Sequence, residues 1–417
     1  MQKPPWLYLL KSVYPFNTNK IILIGGYTKA FLMRTQILFF LTVSSLLFTT
    51  VTAGFKFNEE GKFTILQLTD LHFCHRMKNE TRQQTNAVDI QTQKLQRILI
   101  QIAKPDLIVL SGDAITGRRG AKTSGKEFEH CWKKVTKVIK QFKIPYAYIL
   151  GNHDAEGFWD RKDIMKFDRK QELSIRKTHL GIPDTCNFFV PIFSSRNEQK
   201  LAANLWMFDS GSQSCSGFNY HTWGCIEQDV IDWYNFQSQN IKDEYGTDVH
   251  HLAFMHIPLP EFTELANHGE FSGVREEQIG CPNINTGFFN HIKRNGDISG
   301  IFVGHDHKNN MAGWYEGVEL AYGQKSGYGA YGLERGARVI TLKEHYGDKK
   351  GELKVTRSHH IIFENGTIAI PSAPRKEDRE EFIAACPIIG FSATEKIVGS
   401  FRKSYWEIKN WIKQILA

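Results

Sequence analysis

Apolar residues along this chain follow two alternating periods. Short continuous runs at 63–68, 107–110 and 146–150 read as buried strands, and runs at 205–208, 252–255 and 301–303 have the same form. Other stretches between them place apolar residues three and four apart. Ile90, Leu95, Ile98, Leu99 and Ile102 mark a helix over 88–103 that Pro105 stops. Trp132, Val135, Val138 and Ile139 mark a second over 128–142, and helices are also expected over 158–180, 226–236 and 285–293. Repetition of strand, helix and strand implies parallel strands with covered faces. From 311 to 342 the pattern changes to short β-like runs separated by glycines, which read as antiparallel hairpins. The expected fold class is α/β, with sheet that begins parallel and ends mixed.

Composition narrows this little. A chain of 417 residues at 41% hydrophobic has material for a sizeable core, in one large domain or in two or three. The net charge of +8 first suggests an acidic partner. Lys3, Lys11, Lys20, Lys29 and Arg34 supply five of those charges in a stretch without acids, leaving +3 for the rest. No basic run alternates with aromatics, so no nucleic-acid partner is expected.

That basic stretch carries its own signal. Residues 39–48 are apolar, Arg34 precedes them, and the short side chains of Val51-Thr52-Ala53 suit cleavage before Gly54. Residues 33–53 read as a secretory signal peptide starting at Met33, with 1–32 an N-terminal extension or an upstream mis-start. The alternative is an uncleaved anchor over 37–53, marginally long enough to span a membrane. The expected location is the secretory pathway, secreted or luminal, or membrane-anchored in that alternative.

All seven cysteines follow residue 53. In a secretory compartment they predict disulfides with one thiol left over, Cys215 and Cys225 being the nearest pair; buried free thiols are the competing reading. Asn79-Glu80-Thr81 and Asn365-Gly366-Thr367 are glycosylation sequons. Near the end, 400–416 sets Tyr405, Ile408, Trp411, Ile412 and Ile415 on one helical face. Such a helix can lie on a membrane, but most of its kind dock on their own domain.

Five polar motifs close five of the apolar runs: Asp70-Leu71-His72, Gly112-Asp113, Gly151-Asn152-His153-Asp154, His256, and Gly304-His305-Asp306-His307. Each alone is weak. A strand-end Asp can cap a turn, and a lone His256 is more often a packed histidine than a ligand. Their order is what counts, because ligand-binding residues of α/β sheets gather at the carboxyl ends of strands.

With these motifs the chain resembles the calcineurin-like metallophosphoesterase superfamily. The resemblance extends through 66–73, 254–261, Gly273-Val274-Arg275, Gly287-Phe288-Phe289 and the 322–332 glycine loop. These look like the plant subgroup of probable inactive purple acid phosphatases and its fungal phosphoprotein phosphatase relatives. It implies a mixed β-sandwich flanked by helices over 54–345, followed by a C-terminal extension over 346–417. It also implies two divalent or trivalent metal ions bridged by Asp113. The first would take Asp70, His72 and His307 as well, the second Asn152, His256 and His305. Mixed carboxylate, imidazole and amide ligands suit Fe, Mn or Zn. Two such cations roughly 3.5–4 Å apart turn a water into hydroxide for in-line attack on phosphorus. His153 would then protonate the leaving oxygen as general acid, with Asp154 orienting its ring.

One position departs from the purple enzymes. Their iron-binding Tyr, three residues after the second-motif Asp, is Thr116 here, and His72 supplies the ligand instead. The implied activity is a metal-dependent phosphatase acting on phosphomonoesters, phosphoproteins among them. The alternatives are a phosphodiesterase for a nucleotide or lipid headgroup, and a metal-bound scaffold of low turnover. Arg118, Arg119, Arg275 and Lys325 could meet phosphate but read more simply as structural or solvated. Tyr220, Trp223, Tyr328 and Tyr331 could rim the site or pack in loops.

Overall fold

The computed structural model describes residues 54–76, 80–117, 125–177, 181–182, 185–215, 218–347, 352–370 and 384–386. The expected signal or anchor segment, Asn79, Arg118, Arg119 and the 400–416 helix lie outside them, as does the side chain of Tyr220. Among the described residues, no helix is long and apolar enough to cross a membrane.

In chain order the first strands are β1 (Phe55–Lys56), β2 (Lys62–Leu68), β3 (Leu107–Ser111), β4 (Tyr146–Ile149), β5 (Phe188–Phe193) and β6 (Leu201–Met207). Then come β7 (Gln213–Cys215), β8 (Phe218–Trp223), β9 (His250–Phe254), β10 (Phe271–Ser272) and β11 (Ile298–Val303). The last are β12 (Ala312–Tyr315), β13 (Val318–Tyr322), β14 (Gly336–Tyr346), β15 (Leu353–Phe363) and β16 (Ile368–Ala369). They form two large mixed sheets. One has the order β16-β15-β14-β2-β3-β4, with β2, β3 and β4 parallel and β14 antiparallel to β2. The other has the order β1-β5-β6-β9-β11-β13-β12-β10, parallel through β6, β9, β11 and β13. Strands β7 and β8 form a separate hairpin.

Side chains from both sheets share one core, in which Leu66, Leu68 and Val109 join Leu205, Phe254 and Phe302. Gln67 crosses between the sheets, its Nε2 donating to Ser111 Oγ at 3.0 Å and to the Val303 carbonyl at 3.1 Å. Buried Arg338 is tolerated because it donates to the carbonyls of Tyr322 and Asn310.

Helices cover the outer faces. Helix α1 (Arg82–Ala103) starts at a capping box between Thr81 and Gln84 and ends at Lys104 in the left-handed region, just before Pro105. On α2 (Gly125–Phe142), Trp132 packs 4.5 Å from the Tyr148 ring of β4. A short α3 (Arg161–Asp168) follows. Beyond the second sheet lie α4 (Gln228–Tyr245), α5 (Glu261–His268) and α6 (Phe288–Asn295). There Trp206 and Phe208 meet Tyr234 of α4, and Phe208 meets Phe288 of α6. The architecture is the expected α/β one, a mixed β-sandwich flanked by helices.

Two sequence expectations need correction. The helix expected over 158–180 stops at Asp168, because the buried Asp168 carboxylate accepts Tyr146 Oη at 3.0 Å and Ser174 Oγ at 2.7 Å and so turns the chain inward. The boundary at 345 falls too early. Strand β15 pairs with β14 from Gly336↔Phe363 to Tyr346↔Leu353, so the first sheet runs on past it. Polar residues at Lys354, Thr356 and Ser358 hide that strand from a hydrophobic reading. Disulfides Cys74–Cys131, Cys215–Cys225 and Cys281–Cys386 form, and Cys186 stays buried and free.

Candidate metal centre

Every motif sits where a parallel strand ends. Asp70 and His72 follow β2, Asp113 follows β3, Asn152 follows β4, His256 follows β9, and His305 and His307 follow β11. Two sheets therefore contribute, three strands from one and two from the other. The turns leaving these strands are sharp. Asp70, His72, Asp113 and His305 hold positive φ of 55°, 49°, 49° and 78°, a conformation costing a non-glycine residue of order 1–3 kcal/mol. The turns brace one another, with Asp70 N donating to Gly112 O at 3.1 Å and His72 N to Asp113 O at 2.8 Å. Gly112 has φ 95°, and a Cβ there would lie 2.3 Å from His256 Nδ1. At Gly151 a Cβ would lie 2.1 Å from Asp113 Oδ1, so the two motif glycines make room for the neighbouring motifs.

The structure brings all seven sequence-derived ligand candidates together. Asp70, His72, Asp113 and His307 place one donor atom each within 4.8 Å of the others, and so do Asp113, His256 and His305. Asp113 belongs to both sets. Asn152 completes the second, its Oδ1 lying 3.0 Å from His256 Nε2 and 2.9 Å from His305 Nδ1. In the first set, His307 Nε2 lies 3.0 Å from His72 Nε2 and 3.3 Å from Asp70 Oδ1.

These groups fit a cation. His256 Nδ1 lies 2.9 Å from the Ser111 carbonyl and His307 Nδ1 3.1 Å from that of Tyr331. A carbonyl only accepts, so each Nδ1 carries a proton and each Nε2 faces the cluster, offering a lone pair once its own proton is off. There it meets further acceptors: Asp113, Asn152 Oδ1, and Asp70 Oδ1, which is buried without a hydrogen-bond partner. Acceptors converging on acceptors need a positive charge between them.

Electrostatics supply the required charge states at His72, His305, His307, Asp70 and Asp113. Burial, joined by neighbouring positive charge, holds His72 and His307 below the ordinary histidine value and brings His305 down to about 3. Burial opposes ionisation of Asp70 and Asp113, yet the facing histidines more than offset it and keep both carboxyls low. Burial also opposes charge on His256, but the Asp113 carboxylate beside it raises that imidazole to about 9. A cation there takes the place of that proton.

His153 lies outside both sets. Its ring centroid is 5.2 Å from that of His72, its amide donates to Asp113 Oδ1 at 2.8 Å, and its side chain is partly exposed. The expectation that Asp154 orients it is corrected here. Asp154 accepts the backbone amides of Gly151, Asp113 and Ile115 at 2.7, 2.9 and 2.9 Å, so its carboxylate locks two motif loops together. The partner of His153 is Glu156, with Oε2 2.8 Å from Nδ1. Burial lowers the His153 value, and the bond to Glu156 more than restores it.

The sequence reading missed other supports. Thr69 Oγ1 donates to Asp70 Oδ2 at 2.7 Å, and Thr116 Oγ1 lies 2.7 Å from His72 Nδ1 and 3.3 Å from that of His75. Arg161, paired with Asp209, donates to the Gly151 carbonyl at 2.7 Å, and Ser212 Oγ to that of Asn152 at 3.0 Å. Only Glu156 had a local signal, its spacing of three from His153. Lys325 is structural, its buried Nζ donating to the carbonyls of Asp70 and Gly329. Of the aromatics, Trp223 stands 4.4 Å from the His305 ring and Tyr331 4.5 Å from that of His307. Tyr328 is turned away, its hydroxyl on Glu364.

Comparison with known proteins places this arrangement. The sequence profile of the calcineurin-like phosphoesterase family matches residues 63–309, and the chain belongs to that family. It is 31% identical to probable inactive purple acid phosphatase 29 of Arabidopsis thaliana, over 69% of this chain and 78% of that one. It is 28% identical to phosphatase DCR2 of Saccharomyces cerevisiae, over 60% of this chain and 45% of that one. Among solved structures, a dimetal phosphatase from Danio rerio aligns with a TM-score of 0.46 at 10% identity, over 74% of this chain and 99% of that one.

Proposed function

We propose that this protein is a metal-dependent phosphoester hydrolase, a phosphatase with a dinuclear centre acting on phosphomonoesters, phosphoproteins among them. One observation carries the reading: two donor sets share Asp113, and His153 stands beside them without joining either. Asp70, His72, Asp113 and His307 would hold one ion, and Asp113, Asn152, His256 and His305 the other, with Fe, Mn or Zn suiting the donors. Two ions bound there would acidify a water for attack on phosphorus and neutralise the phosphoryl oxygens.

The residues around the centre have separate tasks in this reading. His153, held by Glu156, gives its proton to the leaving oxygen. Asp154 fixes the loops that carry Asp113 and Asn152. Thr116 and the Tyr331 carbonyl orient His72 and His307 through their outward nitrogens. No ligand position is lost, so the word inactive in the names of relatives need not describe this chain.

The proposal includes a secretory route. Residues 33–53 act as a signal peptide cleaved before Gly54, with 1–32 an N-terminal extension or an upstream mis-start. Three disulfides support that compartment, since they persist where conditions are oxidising.

Turnover of phenyl phosphate against bis-phenyl phosphate by the metal-reconstituted chain tests the function. Faster hydrolysis of the monoester is expected. Preference for the diester makes the protein a phosphodiesterase, and hydrolysis of neither leaves a metal-bound scaffold.

A further inference from the structure

Behind the second donor set runs a loop that the scheme above leaves without a task. Residues 273–281 lie along the ligand-bearing loop 304–310 and are bonded to it repeatedly. The Glu276 amide donates to the Lys308 carbonyl at 3.1 Å, and the Asn310 amide to that of Val274 at 2.9 Å. Asn309 Oδ1 accepts the amides of Glu276 and Glu277 at 3.1 and 3.2 Å. Asp306, buried between the two histidines, accepts the Gly280 amide at 2.9 Å and Tyr322 Oη at 2.5 Å.

At its far end this loop reaches His305 itself. Nδ1 of that ring lies 2.9 Å from Asn152 Oδ1, and its opposite edge rests on Gly280. A Cβ there would lie 2.5 Å from His305 Cδ2 and 2.7 Å from Nε2, so Gly280 sets how far the imidazole can retreat from Asn152. Cys281, the next residue, closes a three-residue turn with its amide on the Ile279 carbonyl at 2.9 Å. It is bonded to Cys386, 105 residues on. The 384–386 segment is fastened at the same place. Ala384 exchanges two hydrogen bonds with the Asn267 side chain, at 2.8 and 2.9 Å, and the Ala385 amide donates to Gln278 Oε1 at 3.1 Å. A distant part of the chain thus holds the turn that backs a candidate metal ligand. Cys281 is buried and Cys386 half-buried, so the sulfur open to attack is that of Cys386.

We propose that the Cys281–Cys386 disulfide is a redox-sensitive latch that positions His305, and that its reduction by a dithiol weakens the ion held by the second donor set. The proposal rests on the metal-binding part of the reading above. A thiolate of the dithiol attacks Cys386 Sγ, the S–S bond breaks, and Cys281 leaves as a thiolate. The second thiol of the reagent then displaces Cys386. The reagent ends as a cyclic disulfide, and its two protons and two electrons pass to the cysteines. Freed of the bond, the 279–281 turn can draw back, and His305 with it, away from Asn152. Loss of such a support costs roughly 10–100-fold in metal affinity. His307, on the same loop, is held from another side, by the Tyr331 carbonyl on its Nδ1 and the Leu333 amide on its own carbonyl. The first donor set should therefore be spared.

Zinc titration calorimetry of the metal-free full chain reads the two ions, with Asn152→Ala marking the step that belongs to the second set. Cys386→Ser opens the bond, leaves 273–281 intact, and should weaken that step roughly tenfold or more with the other unchanged. Wild type reduced with dithiothreitol, then freed of it under argon, should behave alike and recover on reoxidation. Alkylation and peptide mapping report that Cys281 and Cys386 have opened. If Cys386→Ser fails to fold, the reduced wild type carries the test together with Gly280→Ala, which keeps the bond and crowds His305; both should weaken the same step. Unchanged zinc binding after opening, equal weakening of both steps, or a dithiol effect as large in Cys386→Ser as in wild type would overturn the latch. A second step weakened by reduction, in a protein that hydrolyses neither phenyl ester, supports the latch and overturns the hydrolytic reading instead.

Discussion

Glu156 Oε2 lies 2.8 Å from Nδ1 of His153, and the two residues are joined by one tight turn in which Glu156 N donates to His153 O at 3.2 Å. The carboxylate accepts the Nδ1 proton, fixes the ring and favours the imidazolium, the form in which Nε2 also bears a proton to give. His153→Ala should therefore keep both metals and lose roughly 10²–10⁴-fold in turnover of a seryl or alkyl phosphate. A nitrophenyl ester, whose oxygen leaves readily, should suffer less. Glu156→Gln should show the same substrate dependence at roughly a tenth of the effect. Asn152→Ala should lower metal content and activity together. Metal analysis alongside kinetics on both esters decides it; a His153→Ala protein short of metal would put that residue among the ligands.

Thr116 rather than a tyrosine faces His72, and Tyr331, packed on the His307 ring, has its hydroxyl 2.9 Å from Glu277. Neither residue thereby offers a phenolate to the first donor set. Iron-loaded protein should show no intense visible band of the kind a tyrosinate-to-iron charge transfer gives. An absorption spectrum checks this, and a strong band would mean that a tyrosine had displaced a ligand assigned here.

Asn365 sits in the exposed turn between β15 and β16, its Oδ1 accepting the Thr367 amide at 2.8 Å. The sequon is thus accessible in the folded protein. Expressed in a eukaryotic secretory system, the chain should begin at Gly54 and carry glycan at Asn365 or Asn79. Intact mass and N-terminal sequencing read both features, and unglycosylated protein retaining Met33 would argue against the secretory route.

His251 is buried in the second sheet, where its Nδ1 accepts the Trp206 indole N–H at 2.9 Å. Burial brings its value down from 6.5 to about 4, so the unfolded chain binds this proton more tightly than the folded one. Stability from this group is complete above pH 6.5 and is lost as pH falls toward 4, by about 3 kcal/mol in all. His251→Gln should flatten the acid limb of a stability profile over that window. An unchanged slope would mean that other histidines, such as His250, dominate it.

The legible part of this protein was what repeats locally. Apolar runs marked β2, β3, β4, β9 and β11, and the polar residues ending them were the ones the fold gathers, because a parallel sheet places all its strand ends along one edge. Glycines at 112 and 151 stood in the motifs because neighbouring side chains fill the space a Cβ would take. What escaped was set by contacts between distant segments. Strand β15 carries a half-polar pattern and exists through its ladder with β14. Asp154 looked like the partner of His153 because the two are adjacent, yet three backbone amides from two loops captured its carboxylate and left the ring to Glu156. The sequence by itself determined which donors are available and in what order. Only the meeting of two sheets decided that His256 and His305 would face Asp113 across the interface. Local periodicity records burial, whereas the direction a buried polar group turns depends on which partners the rest of the chain brings within hydrogen-bond reach.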